Sequence, residues 1–122
     1  MPYVEVLAPP ASSQIKAALA KFVTDGLMST FGVSADTVTL YFLPITADNY
    51  AHAGEISPQG IGQRILLKVH AFRRSEAERR AAAAALTEGV IAAYGVPGDD
   101  IAVYFLDRHK SEVAHDSRLA SD

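Results

Sequence analysis

The sequence predicts an α+β fold, a tandem strand–helix–strand repeat whose four strands make one sheet with two helices on one face. Three observations carry this. The chain of 122 residues matches itself when shifted by 63 positions, so that 1–59 fall on 64–122 without a gap. Each copy places one long helical stripe of apolar residues between two short apolar strands. The strand segments are apolar on both faces, although two helices can cover only one.

The repeat is read directly from identities. Val6 meets Val69, Ser12 meets Ser75, Thr24 meets Thr87 and Gly26 meets Gly89. Gly32-Val33 meets Gly95-Val96, Asp36 meets Asp99, Tyr41-Phe42-Leu43 meets Tyr104-Phe105-Leu106, and Ala51-His52 meets Ala114-His115. With Ala8, Ala18 and Ala20, that makes 15 identities over the 59 pairs, against roughly four or five expected from composition.

The elements follow in order. Pro2–Leu7 is a short apolar strand. Ser12 or Ser13, after Pro9-Pro10, supplies an N-cap. Ile15, Ala18, Leu19, Phe22, Val23, Gly26 and Leu27 form one buried helical stripe that ends at Gly32. Val38–Leu43 is the second strand. The second copy gives a strand at Ile65–Ala71, a helix opened by Ser75 with Glu78 completing a capping box and closed by Gly95, and a strand at Ile101–Leu106. Gly26 and Gly89 lie inside helices, where glycine costs about 1 kcal/mol against alanine, and predict close helix–sheet contact. Each unit makes a parallel strand pair with a right-handed crossover. The face left bare predicts self-association, and residues 44–63 and 107–122 are free to reach across such an interface.

Composition narrows the function. The length fits a single domain, 1–122. Hydrophobic residues reach 49 % without any run near the ~20 residues needed to cross a membrane. No basic stretch leads into an apolar one at the N-terminus, so no signal peptide and a cytoplasmic location are expected. There are no cysteines, which excludes disulfides, thiolate nucleophiles and zinc–thiolate sites. A net charge of −3 argues against nucleic acid as a partner. The four histidines are scattered, so no metal site is expected. Phosphate loops and dinucleotide fingerprints are missing, and no cofactor is expected.

The opening Met1-Pro2-Tyr3-Val4-Glu5-Val6, the turn Val69-His70-Ala71-Phe72-Arg73-Arg74-Ser75-Glu76 and the tail Ala114-His115-Asp116-Ser117-Arg118-Leu119 stand in a tandem β-α-β chain of about this length. Together they resemble the tautomerase superfamily, which includes 4-oxalocrotonate tautomerase, cis-3-chloroacrylic acid dehalogenase, malonate semialdehyde decarboxylase and macrophage migration inhibitory factor. The resemblance covers essentially the whole chain and is closest to the long-chain branches. It implies a homotrimer, removal of Met1, and Pro2 as a secondary-amine base acting on a small carboxylic acid through its enol. A free α-amine titrates near ~8 and falls with burial beside arginines, which suits proton abstraction next to a carbonyl.

The resemblance also implies substrate-binding roles for Arg74 and Arg73, whose guanidinium forks match a planar carboxylate at a helix N-terminus. Tyr104, in Val103-Tyr104-Phe105, matches a tyrosine that orients substrate or water in the dehalogenase. Tyr50 matches an aromatic pocket wall contributed to a neighbouring subunit. His115 falls where the dehalogenase carries its water-activating glutamate. Because His52 is its repeat mate, the structural reading of both histidines is favoured, as it is for His70 at a strand end. Two departures count against dehalogenation and against a complete two-arginine grip: Leu27 replaces a helix histidine, and Thr39 or Ala102 stands where a strand arginine is expected. Asp36, repeated as Asp99, reads as turn chemistry. Hydration, decarboxylation or dehalogenation of unsaturated or 3-oxo acids is the alternative within the superfamily. A non-catalytic acid-binding oligomer is the alternative if Met1 stays in place. The rival fold is a dimeric ferredoxin-like barrel with an antiparallel sheet.

Overall fold

A computed structural model describes residues 1–122. Strand β1 (Tyr3–Ala8) leads into helix α1 (Ser13–Phe31), then strand β2 (Thr39–Pro44) and a hairpin of β3 (Ala51–His52) and β4 (Glu55–Ile56). The second copy repeats the plan with β5 (Ile65–Phe72), α2 (Glu76–Tyr94), β6 (Ile101–Arg108) and a hairpin of β7 (Ala114–His115) and β8 (Arg118–Leu119). Single 3-10 turns precede β2 and β6 and each hairpin.

The four long strands form one sheet in the order β2-β1-β5-β6. β1 pairs parallel with β2, and β5 parallel with β6, as a strand–helix–strand unit requires. The two units join through the antiparallel β1–β5 pair, in which Tyr3 faces His70 and Leu7 faces Leu66. This mixed sheet rules out the ferredoxin-like rival. The joint also gives the chain an internal pseudo-twofold axis: Glu5 and its repeat mate Lys68 sit opposite one another across it, 3.7 Å apart.

Alternation sorts the side chains. Val4, Val6, Ala8, Ile65, Leu67, Val69 and Ala71 point to the helices and, with Leu19, Val23, Leu27, Phe31, Ala82, Leu86 and Val90, form the buried core. The opposite face carries Tyr3, Glu5, Leu7, Leu66, Lys68 and His70, flanked by Tyr41, 58 % exposed, and Tyr104, 62 % exposed. No helix covers this face, as the sequence predicts.

Both helices are capped as expected. The Ser12 hydroxyl accepts from the Ile15 N–H at 3.2 Å, while Ser75 and Glu78 complete a reciprocal box. Gly32 and Gly95 close the helices with φ of 67° at each. Two expectations are corrected. The interior glycines serve helix–helix contact, not helix–sheet contact. A Cβ on Gly26 would meet Ala85 at 3.4 Å, and one on Gly89 would meet Phe22 at 2.8 Å. Residues 22 and 85 are repeat mates, as are 26 and 89, so the helices cross at the pseudo-twofold axis, where their backbones come closest. Phe22 therefore lies beside that crossing and remains 42 % exposed, outside the buried stripe. No helix is long and apolar enough to cross a membrane.

Candidate active site

Because β1 runs against β5, the start of the chain lies beside the C-terminal ends of β5 and β6. There Met1, Tyr3, His70, Phe72 and Arg108, with Glu112, Val113 and Ala114 from the segment before β8, enclose a hollow of about 350 Å³. Pro2 points to the helix side and is buried, and its carbonyl accepts from the Thr39 N–H at 3.3 Å. Met1 is attached to the Pro2 nitrogen and lines the hollow itself. Partial burial, and then the Arg74 guanidinium, hold the terminal amine below its ordinary value.

Arg74 faces inward. Its Nη1 donates to the Phe72 carbonyl at 2.9 Å and its Nη2 to the Phe31 carbonyl at 3.5 Å, and the guanidinium lies 4.8 Å from the centre of the Phe31 ring. It thereby caps the last residue of α1, where the helix dipole favours a cation, and projects positive field on the N-terminus. Arg73 is exposed and forms no side-chain bond. Arg74 borders a narrow cleft with Phe31, Phe72 and Arg79, so neither it nor Pro2 nor the exposed Arg73 is among the residues that line the hollow.

The remaining sequence-assigned residues lie elsewhere in the chain. Tyr104 and Tyr50 line a second hollow of about 400 Å³ at the other end of the β1–β5 pair, together with Leu7, His52, Arg64 and Leu66. The Tyr50 hydroxyl accepts from the Arg64 N–H at 3.1 Å. His115 is exposed in the last hairpin, where it pairs with Arg118, next to the rim residue Ala114. Leu27 is fully buried in the core, far from the role of a helix histidine. Asp36 accepts from the Ser34 hydroxyl in the turn before β2, as its turn reading expects. No group of three His, Asp or Glu side chains is placed to hold a metal.

Sequence reasoning passed over Arg108 and read His70 as structural. β6 continues two residues beyond the expected Leu106, and that extension carries Arg108 onto the uncovered face of the sheet. The available signal was a break in the repeat: Arg108 is the mate of Ile45, and His70 is the mate of Leu7.

Neither a family model nor a curated protein matches the sequence. Solved structures do match in fold. The asymmetric trimer of R7 wild-type fused 4-OT superposes with a TM-score of 0.87 at 21 % identity, covering 98 % of this chain and 96 % of that one. Pt0534 inactivated by 2-oxo-3-pentynoate gives 0.87 at 22 % identity, covering 98 % and 97 %. N1, a member of the cis-3-chloroacrylic acid dehalogenase family, gives 0.81 at 16 % identity, covering 96 % and 82 %. With its two β-α-β units, mixed four-stranded sheet and bare face, this chain has the fold of the tautomerase superfamily.

Proposed function

We propose that this protein is a tautomerase-superfamily enzyme that moves a proton on a small 2-keto or 2-hydroxydienoate acid, with Pro2 as base after loss of Met1. The observation that carries this is the placement of the terminal amine. Met1 lines a hollow, and the pKa of its amine is lowered by burial and then by Arg74. Loss of Met1, which lines the hollow, frees the adjoining Pro2 nitrogen as a secondary amine. The unprotonated amine takes the proton next to the carbonyl and returns it at the other end of the enol. Positive charge at this end of the sheet stabilises the enolate as it forms.

The same reading makes the protein a homotrimer. The bare sheet face needs a cover, and the fused 4-OT that this chain resembles in fold is a trimer. In that assembly a neighbour brings Tyr104 and Tyr50 to the Pro2 hollow, with Tyr104 donating to the developing oxyanion. Sedimentation equilibrium at micromolar concentration then gives the mass of three chains, and a stable monomer contradicts the reading. Buried Leu27 weighs against dehalogenation as the main activity.

The decisive experiment is covalent labelling. Pt0534 is inactivated by 2-oxo-3-pentynoate. The same reagent is expected to add once per chain here, on the nitrogen of Pro2, as located by peptide mass spectrometry. No adduct, or an adduct confined to a lysine, contradicts the assignment of the base.

A further inference from the structure

The uncovered face of the sheet holds a hydrogen-bonded line of side chains leading to the N-terminal hollow. His70 is 4 % exposed and stacks flat on the Tyr3 ring, with centroids 4.2 Å apart and planes within 3°. Arg108 Nη2 donates to His70 Nδ1 at 2.8 Å. A guanidinium has no acceptor, so Nδ1 carries no proton and the imidazole N–H is on Nε2. Nε2 donates to Glu5 Oε2, and Lys68 Nζ lies 3.7 Å from the same oxygen.

The charges do not cancel evenly along this line. Glu5 is answered by Lys68. Arg108 is half-buried, and its one side-chain partner is a neutral ring nitrogen. No carboxylate of its own chain lies within the 4.0 Å of an ion pair from it. Glu112 lines the same hollow without pairing with it. A partly desolvated guanidinium without a counter-ion, on the wall of a hollow, favours an anion, and its planar fork matches a carboxylate.

The geometry points to Arg108 as the carboxylate receptor of the N-terminal hollow, with His70 and Glu5 as positioning residues that hold its fork. One end of the guanidinium is fixed by His70 Nδ1, and Glu5 fixes the imidazole tautomer that can accept there. Tyr3 locks the ring by stacking. The remaining N–H groups are free for a ligand whose reactive carbon then lies between Arg108 and the start of the chain, since Arg108 and Met1 both line the hollow. The repeat supports this. The mates of Tyr3, Glu5, His70 and Arg108 are Leu66, Lys68, Leu7 and Ile45, so the line exists at one end only. Receptor binding stands on its own; the consequence for turnover rests on the proposed function.

The test uses the full chain and trans-cinnamate, a planar acid that cannot enolise, with cinnamamide as the neutral control. Binding is followed by NMR titration of wild type, Arg108→Ala, Arg108→Lys, His70→Leu and His70→Gln, each checked by its thermal melt. Arg108→Ala weakens cinnamate roughly ten- to a hundredfold and leaves cinnamamide unchanged. Lysine recovers part of the loss, since it keeps charge without the fork. His70→Gln, whose amide can accept from Arg108 and donate to Glu5, binds more tightly than His70→Leu. Should His70→Leu fail to fold, the Arg108 pair and His70→Gln still decide. Equal cinnamate binding by wild type and Arg108→Ala overturns the inference, even if Pro2-dependent turnover is intact. Arg108-dependent binding without any turnover upholds the receptor and removes the proposed function.

Discussion

The two ends of the β1–β5 pair are built to one plan and equipped differently. Each has a hollow bounded by a strand start, the adjoining strand ends and a following short hairpin. At the first end the chain begins there, and the wall carries Tyr3, His70 and Arg108. At the second end the chain runs through, with Arg64 standing where Met1 stands, and Leu66, Leu7 and Ile45 filling the matching places. The repeat thus supplies two hollows of similar size, and the proposed Pro2 base belongs to only one of them. The polar line of Glu5, His70 and Arg108 lies at that same end, where the proposed function puts the base.

The comparison is broken most severely by removing the group proposed to cross from one hollow to a neighbour's. Tyr104→Phe deletes only a hydroxyl on a side chain at the second hollow. If the trimer carries that hydroxyl to the Pro2 site, kcat for ketonisation of phenylenolpyruvate falls roughly tenfold with KM little changed. An unchanged kcat assigns Tyr104 to subunit packing alone.

A smaller effect is expected from the field at the first end. Arg74 disfavours the protonated amine, so Arg74→Met raises the pKa of the base. Activity depends on the unprotonated amine and rises with pH through that pKa. The acid limb of kcat/KM therefore moves to higher pH in the variant, giving a several-fold loss on the acid side that disappears at high pH. A uniform loss at every pH would instead place Arg74 in direct contact with substrate.

The halves also differ where the helices cross. Gly89→Ala puts a Cβ 2.8 Å from that of Phe22, whereas Gly26→Ala meets Ala85 at an ordinary 3.4 Å. Overpacking costs ~1–3 kcal/mol and the helix recovers ~1. Gly89→Ala therefore destabilises by up to about 2 kcal/mol in a urea melt, whereas Gly26→Ala keeps most of the ~1 kcal/mol helix gain. A larger loss at Gly26 would contradict the crossing geometry. Caps give the smallest contrast. Ser75 sits in a complete box and Ser12 does not, so alanine at 75 costs ~1 kcal/mol and at 12 about half that.

Much of this was legible in the sequence. The strand and helix bounds follow from capping serines, closing glycines and alternation, each of which acts within a few residues. The repeat made the topology economical, because one strand–helix–strand rule applied twice. What could not be read was the relation between the copies. The antiparallel β1–β5 joint decides that Glu5 faces Lys68, that the interior glycines meet the other helix, and that the ends of β5 and β6 border the N-terminus. Arg74 could be placed from its own turn, next to Ser75. Arg108 could not, since its position depends on β6 continuing past Leu106 and on a histidine 38 residues away in sequence. Residues at the second hollow, Tyr50 and Tyr104, are similarly beyond what one chain can assign, because their partner surface belongs to another subunit in the proposed trimer.

The central claim is that a free Pro2 amine at the first hollow is the base. It is tested by two preparations identical except for Met1, their N-termini confirmed by intact mass, compared in the initial rate of phenylenolpyruvate ketonisation. Loss of a general base is expected to cost on the order of a hundredfold or more, so the preparation retaining Met1 should be nearly inactive. Equal rates from the two preparations would contradict the account.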